Sequence, residues 1–123
     1  MSHDIVADGL NKIMNAKKAK KSEIILNHHS KLLRNILDIA TENGYLNYTL
    51  LEDGLKIEIK NLNMIRAIKP RFTVVVKRIN FYVRRFLPAK NFGFVIISTN
   101  KGLLKHDEAE RDKLGGCLIA YMY

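Results

Sequence analysis

The period of hydrophobic positions changes several times along the chain, and each change marks an element. Ile5, Val6, Leu10, Ile13 and Met14 recur at helical spacing, with Asp4 or Ser2 placed to cap the start. The run Lys17-Lys18-Ala19-Lys20-Lys21 has no apolar face and reads as a solvated basic segment. Ile24, Ile25 and Leu26 predict a short strand. Ser30 is placed to cap a second helix carrying Leu32, Leu33, Ile36, Leu37, Ile39 and Ala40, which Asn43-Gly44 ends. Tyr45 to Leu51 and Leu55 to Ile59 flank Glu52-Asp53-Gly54, a tight-turn signal, and predict a hairpin. Leu55, Ile57 and Ile59 alternate with Lys56, Glu58 and Lys60, as in a half-buried strand.

The pattern shifts beyond Asn61. Residues 61–69 read as a connector that Ile65 and Ile68 anchor on a core, and Pro70, lacking a donor, suits a strand start or an edge. Phe72 to Val76 is strand-like. Ile79, Phe81, Val83 and Phe86 fit a short helix or a strand, and Leu87-Pro88 breaks either. Gly93 to Ser98 and Cys117 to Tyr123 are apolar strands, with one or two helical turns between them at Asp107 to Leu114. The expected class is α+β in two small lobes. Residues 1–61 form a helix-strand-helix-strand-strand lobe, and residues 62–123 a mainly-β lobe with a short helix.

Composition narrows the function. Twenty-one Lys and Arg against twelve Asp and Glu give a formal net charge of +9, while 47% hydrophobic residues suffice for a core. Such an excess repels itself in the compact state, and a polyanion relieves it while releasing condensed counterions. A lone cysteine, Cys117, excludes a disulfide framework and fits a small buried thiol at a strand start. No window approaches a membrane-spanning length, and the acidic Asp4 and Asp8 leave no signal core, so a soluble cytoplasmic protein is expected. Adjacent His28 and His29 point to opposite sides of an extended segment, and neither His3 nor His106 completes a ligand set. No metal, cofactor or small-molecule substrate is therefore expected. Asp107 and Glu108 read as surface charge pairs for Lys105 and Arg111 rather than as catalytic acids. Phe72, Phe81, Tyr82, Phe86, Phe92 and Phe94 lie among apolar neighbours and read as core, which favours recognition of a folded helix over splayed bases.

The turn Ser98-Thr99-Asn100-Lys101-Gly102 combines hydroxyls, an amide, a cation and a conformationally free residue. Such a turn offers donors to phosphate oxygens and 2′-hydroxyls; an ordinary polar turn is the other reading. Gly115-Gly116 precedes the last strand without the sequence context of a Walker-type phosphate loop. Read in order, an apolar strand, this turn, His106-Asp107-Glu108-Ala109, Gly115-Gly116 and a terminal apolar strand resemble the small-subunit ribosomal protein eight family. Ile5-Val6-Ala7-Asp8 with Leu10, Ile13, Asn15 and Ala16, and Ser30-Lys31, resemble further family positions. Lys69-Pro70-Arg71-Phe72 and the segment from Leu87-Pro88 to Gly93 resemble its archaeal and eukaryotic branch.

The resemblance implies a non-enzymatic ribosomal protein that binds a helix in the central domain of small-subunit ribosomal RNA and supports assembly beside neighbouring ribosomal proteins. Carried over by position, the RNA-binding candidates are Ser98, Thr99, Asn100, Lys101, Gly102, Glu108, Ala109, Gly115 and Gly116, supplemented by Asp4, Asn15, Ser30 and Lys31. The chain departs from the family pattern at Asn100, Glu110 and Cys117; Arg111 can supply the charge missing at Glu110. A free-standing basic nucleic-acid-binding domain is the alternative reading.

Overall fold

Asp4 starts α1 (Ile5–Lys18) by accepting the Ala7 N–H on its carboxylate at 3.1 Å, which satisfies one of the helix's orphan donors. The computed structural model describes residues 4–89 and 92–123. Ser2, His3, Lys90 and Asn91, used in the sequence reading, lie outside the described residues. The chain forms two compact units that divide between Arg66 and Ala67.

In the first unit, Val6, Leu10, Ile13 and Met14 form the buried stripe of α1, which packs on β1 (Glu23–Leu26), α2 (Lys31–Glu42) and β3 (Gly54–Ile59). The Ser30 hydroxyl caps α2 by accepting the Leu33 N–H at 3.2 Å. The strands run antiparallel in the order β1-β3-β2, with β2 spanning Leu46–Leu51. Leu33, Ile36, Leu37, Leu46, Leu55 and Ile57 are sealed from solvent. Each such side chain contributes about 1.5–3 kcal/mol by leaving water. His29 accepts a hydrogen bond from the Arg34 guanidinium on Nδ1 at 2.8 Å.

Three helices end in the same way. After α1 the Lys21 N–H bonds the Ala16 carbonyl and the Lys20 N–H that of Lys17. After α2, Tyr45 bonds Ala40 and Gly44 bonds Thr41. After α4 (His106–Arg111), Leu114 bonds Ala109 and Lys113 bonds Glu110. This is the Schellman arrangement, whose central residue is left-handed. Gly44 fills it at φ +79°, whereas Lys20 and Lys113 fill it at +61° and +56°.

The second unit holds a four-stranded sheet in the order β4-β7-β5-β6. Its strands are β4 (Ile65–Val74), β5 (Phe94–Thr99), β6 (Gly102–Lys105) and β7 (Gly116–Met122). The expected connector over residues 61–69 is corrected: β4 already begins at Ile65. As an edge strand it tolerates Pro70, whose missing donor costs no inner ladder bond. The strand expected to reach Val76 ends at Val74, and a 3₁₀ turn (Val76–Arg78) leads into α3 (Ile79–Phe86). Helix wins over strand there because Ile79, Val83 and Leu87, four apart, are the buried positions. They join Val95, Ile97, Ala109 and Leu118 in one core.

The aromatic residues divide. Phe94 is buried, and Phe72, Tyr82 and Phe86 pack partly buried against the core. Phe81 and Phe92, expected inside, are instead exposed. Cys117, expected buried, is half-buried.

Candidate nucleic-acid interface

The β5–β6 hairpin pairs Ser98 with Leu103 and Thr99 with Gly102, leaving Asn100 and Lys101 as the exposed tip. One side chain organises it. The Thr99 hydroxyl donates to the Gly102 carbonyl at 2.9 Å and accepts the Lys101 N–H at 3.1 Å. The left-handed residue of the turn is Gly102, at φ +101°. A side chain at Gly102 would meet nothing within 4 Å, so conformation and not space requires glycine. The outcome is a tip that exposes an ammonium and an amide, with the Thr99 hydroxyl consumed internally.

Pairing of β5 with β7 sets Ser98 opposite Cys117 and brings the start of β7 to this hairpin. Gly116 lies against the Ser98 carbonyl, and a Cβ on Gly115 would stand 2.6 Å from the Val74 carbonyl oxygen. Close strand approach therefore occupies these glycines, and Gly115 is exposed at the surface.

Helix α4 follows β6 directly. Its Glu108 carboxylate accepts the Lys105 N–H at 3.0 Å, and the Asp107 carboxylate accepts the Glu108 N–H at 2.9 Å. Both acids bond main-chain donors at the helix start, where their charge is favourable also for the helix dipole. Ala109 is fully buried in the core, so its methyl group seats α4. Glu110 accepts from the Asn80 amide at 3.2 Å, and Arg111 lies 3.7 Å from Asp112. The buried His106 accepts the Val95 N–H on Nδ1 at 3.1 Å, tying α4 to β5. Burial pushes its imidazole below the ordinary range; the neighbouring Asp107 and Glu110 pull the other way.

Among the candidates, the structure thus brings Ser98 to Gly102 together with Gly115 and Gly116. Asp4, Asn15, Ser30 and Lys31 belong to the first unit. Asp4 and Ser30 are engaged as helix caps there, while Asn15 and Lys31 are exposed. Sequence reading missed Lys113, exposed in its left-handed position two residues before Gly115. Its only sequence signal is its place just past a short helix. Among the described residues no cluster of His, Cys, Asp and Glu is arranged to hold a metal ion, and no helix is long and apolar enough to cross a membrane.

Fold and surface together define a class: a small basic α+β protein of two units, whose C-terminal sheet presents a donor-rich hairpin tip. The chain belongs to the ribosomal protein S8 family, whose sequence model matches residues 4–123. It is similar to the small ribosomal subunit protein uS8 of Nanoarchaeum equitans (strain Kin4-M), with 39% identity over 129 residues and 100% of each chain covered.

Proposed function

We propose that this chain is a structural, non-catalytic constituent of the small ribosomal subunit that binds small-subunit ribosomal RNA directly and supports subunit assembly. The observation that carries the reading is the end-to-end similarity to a protein named for the small ribosomal subunit. The chemistry agrees with it. A net charge of +9 favours a phosphate partner, and the hairpin tip offers donors at fixed positions, which suits the phosphate and 2′-hydroxyl contacts by which folded RNA is held.

In this reading Asn100 and Lys101 contact RNA directly. Thr99 and Gly102 hold the tip in shape, Ser98 stands beside it, and Gly115 and Gly116 act indirectly by letting the start of β7 pack against Ser98 and Val74. Glu108 and Ala109 act by positioning α4. Asn15 and Lys31 add contacts from the first unit, where Asp4 and Ser30 set the helix starts. The target is a helix of the central domain of the RNA, and the other surfaces meet neighbouring ribosomal proteins in the cytoplasmic ribosome.

Sedimentation of a low-salt lysate tests this reading. The protein is expected to travel with the small subunit and to leave it only at high salt; recovery solely at the top of the gradient would refute the assignment.

A further inference from the structure

The outward face of α3 is built differently from the hairpin tip. While Ile79 and Val83 point into the core, Phe81 is 43% exposed. Arg78 precedes it by three residues and Arg85 follows it by four, so the helix sets all three on one face. The Arg78 guanidinium lies 4.7 Å from the Phe81 ring centroid and that of Arg85 lies 6.0 Å away. Tyr82 meets the Phe81 ring edge-on with centroids 5.0 Å apart, and Phe72 meets Tyr82 in the same manner at 4.9 Å, so the ring is buttressed. From Val76 to Phe86 the chain has four cations, Lys77, Arg78, Arg84 and Arg85, and no acid. Glu110, which reaches this helix from α4, is engaged by Asn80.

A lone exposed apolar side chain would need no explanation. An exposed ring with two guanidinium groups within 6.0 Å of its centroid on an otherwise cationic face is a different object. Aromatic and guanidinium planes stack nucleobases, and interleaved cations follow the phosphates. A double helix would satisfy the cations but leave the ring idle, because paired bases keep their faces inside the stack. A peptide of Asp and Glu alone would likewise use the charges but offer the ring no aromatic face to stack on.

We propose that this face of α3 is a second RNA site, which stacks an unpaired base on Phe81 and Arg78 while Arg84 and Arg85 hold the adjoining phosphates. The site rests on the ribosomal reading for the identity of its RNA, but its chemistry is independent of the hairpin tip.

The test uses the full chain and a labelled single-stranded oligouridine, with a duplex RNA hairpin and an oligoglutamate peptide as comparison probes. Phe81→Leu keeps an apolar side chain at this exposed position and should weaken oligouridine binding about tenfold, with less change for the duplex. Phe81→Trp should restore binding. Because the chain has no other tryptophan, its emission should be quenched as the base stacks. Unchanged oligouridine affinity in Phe81→Leu, no oligouridine binding by the parent, or full displacement of the RNA by oligoglutamate would overturn the proposal, the last pointing to an acidic protein segment. If the parent binds no small-subunit RNA fragment yet still binds oligouridine through Phe81, the ribosomal reading falls and the stacking face stands.

Discussion

Gly116 is pressed so closely on Ser98 that a Cβ there would overlap the Ser98 carbonyl oxygen and stand 2.9 Å from its carbonyl carbon. The end of β5 and the start of β7 keep their spacing only because this side chain is absent. Gly116→Ala is therefore expected to destabilise the protein by about 2–3 kcal/mol, since rigid backbone must shift to admit the methyl group. Gly102→Ala should cost only about 1–2 kcal/mol, through its left-handed backbone alone. Urea unfolding of the two variants checks the order. A second comparison separates the causes: Asn tolerates positive φ and should be milder than Ala at Gly102 but worse than Ala at Gly116.

Lys113 occupies a left-handed position that glycine fills more easily. Lys113→Gly should raise stability by up to about 1 kcal/mol, the backbone strain being partly offset by the entropy of the freer unfolded chain. The same change removes an exposed cation near Gly115, so affinity for small-subunit RNA should fall while the melting temperature rises. Opposite signs in those two measurements are the expected result; a fall in both would show that Lys113 supports the fold.

The His106–Val95 bond makes stability depend on pH in a definite direction. His106 is 8% exposed and accepts on Nδ1, so the folded protein disfavours the imidazolium. The unfolded chain takes up that proton near its ordinary value of about 6.5. Above that pH neither state is protonated and the full stability is present. As the pH falls below it, the unfolded state binds the extra proton and stability is lost progressively toward the lowered folded value. Urea midpoints between about pH 8 and 5 should fall on acidification, and His106→Asn, which accepts the same N–H without titrating, should have a shallower slope.

Much of the first unit was legible because its patterns are long and unambiguous. The stripe of α1, the capping Ser30 of α2 and the alternation of Leu55, Ile57 and Ile59 each carry one period. The second unit was harder to read. Ile79, Phe81 and Val83 alternate as a strand would, and Ile79, Val83 and Leu87 repeat as a helix would. Packing on Val95, Ile97 and Leu118 selected the helix and turned Phe81 outward. Pro70 obscured β4 because a missing donor is tolerable at an edge, and edge position is not written in local sequence. The hairpin tip was legible in its residue types. That the Thr99 hydroxyl is spent inside the turn required geometry, as did the close backbone approach that Gly115 and Gly116 serve.

Lys101 at the exposed tip gives the hairpin its own signature. If it meets a phosphate, Lys101→Ala should weaken RNA binding and reduce the slope of log affinity against log salt by about one. A salt titration of parent and variant on one RNA fragment measures both effects. An unaltered slope would move the phosphate contact elsewhere.

The most direct test is a gel-shift series with the full chain against fragments tiled across small-subunit ribosomal RNA, at one fixed salt concentration and with duplex DNA as a competitor. A fragment carrying a central-domain helix is expected to bind more tightly than the other fragments and the DNA by about a hundredfold or more, as specific sites exceed non-specific ones. Equal affinity for every fragment and for the DNA would contradict it.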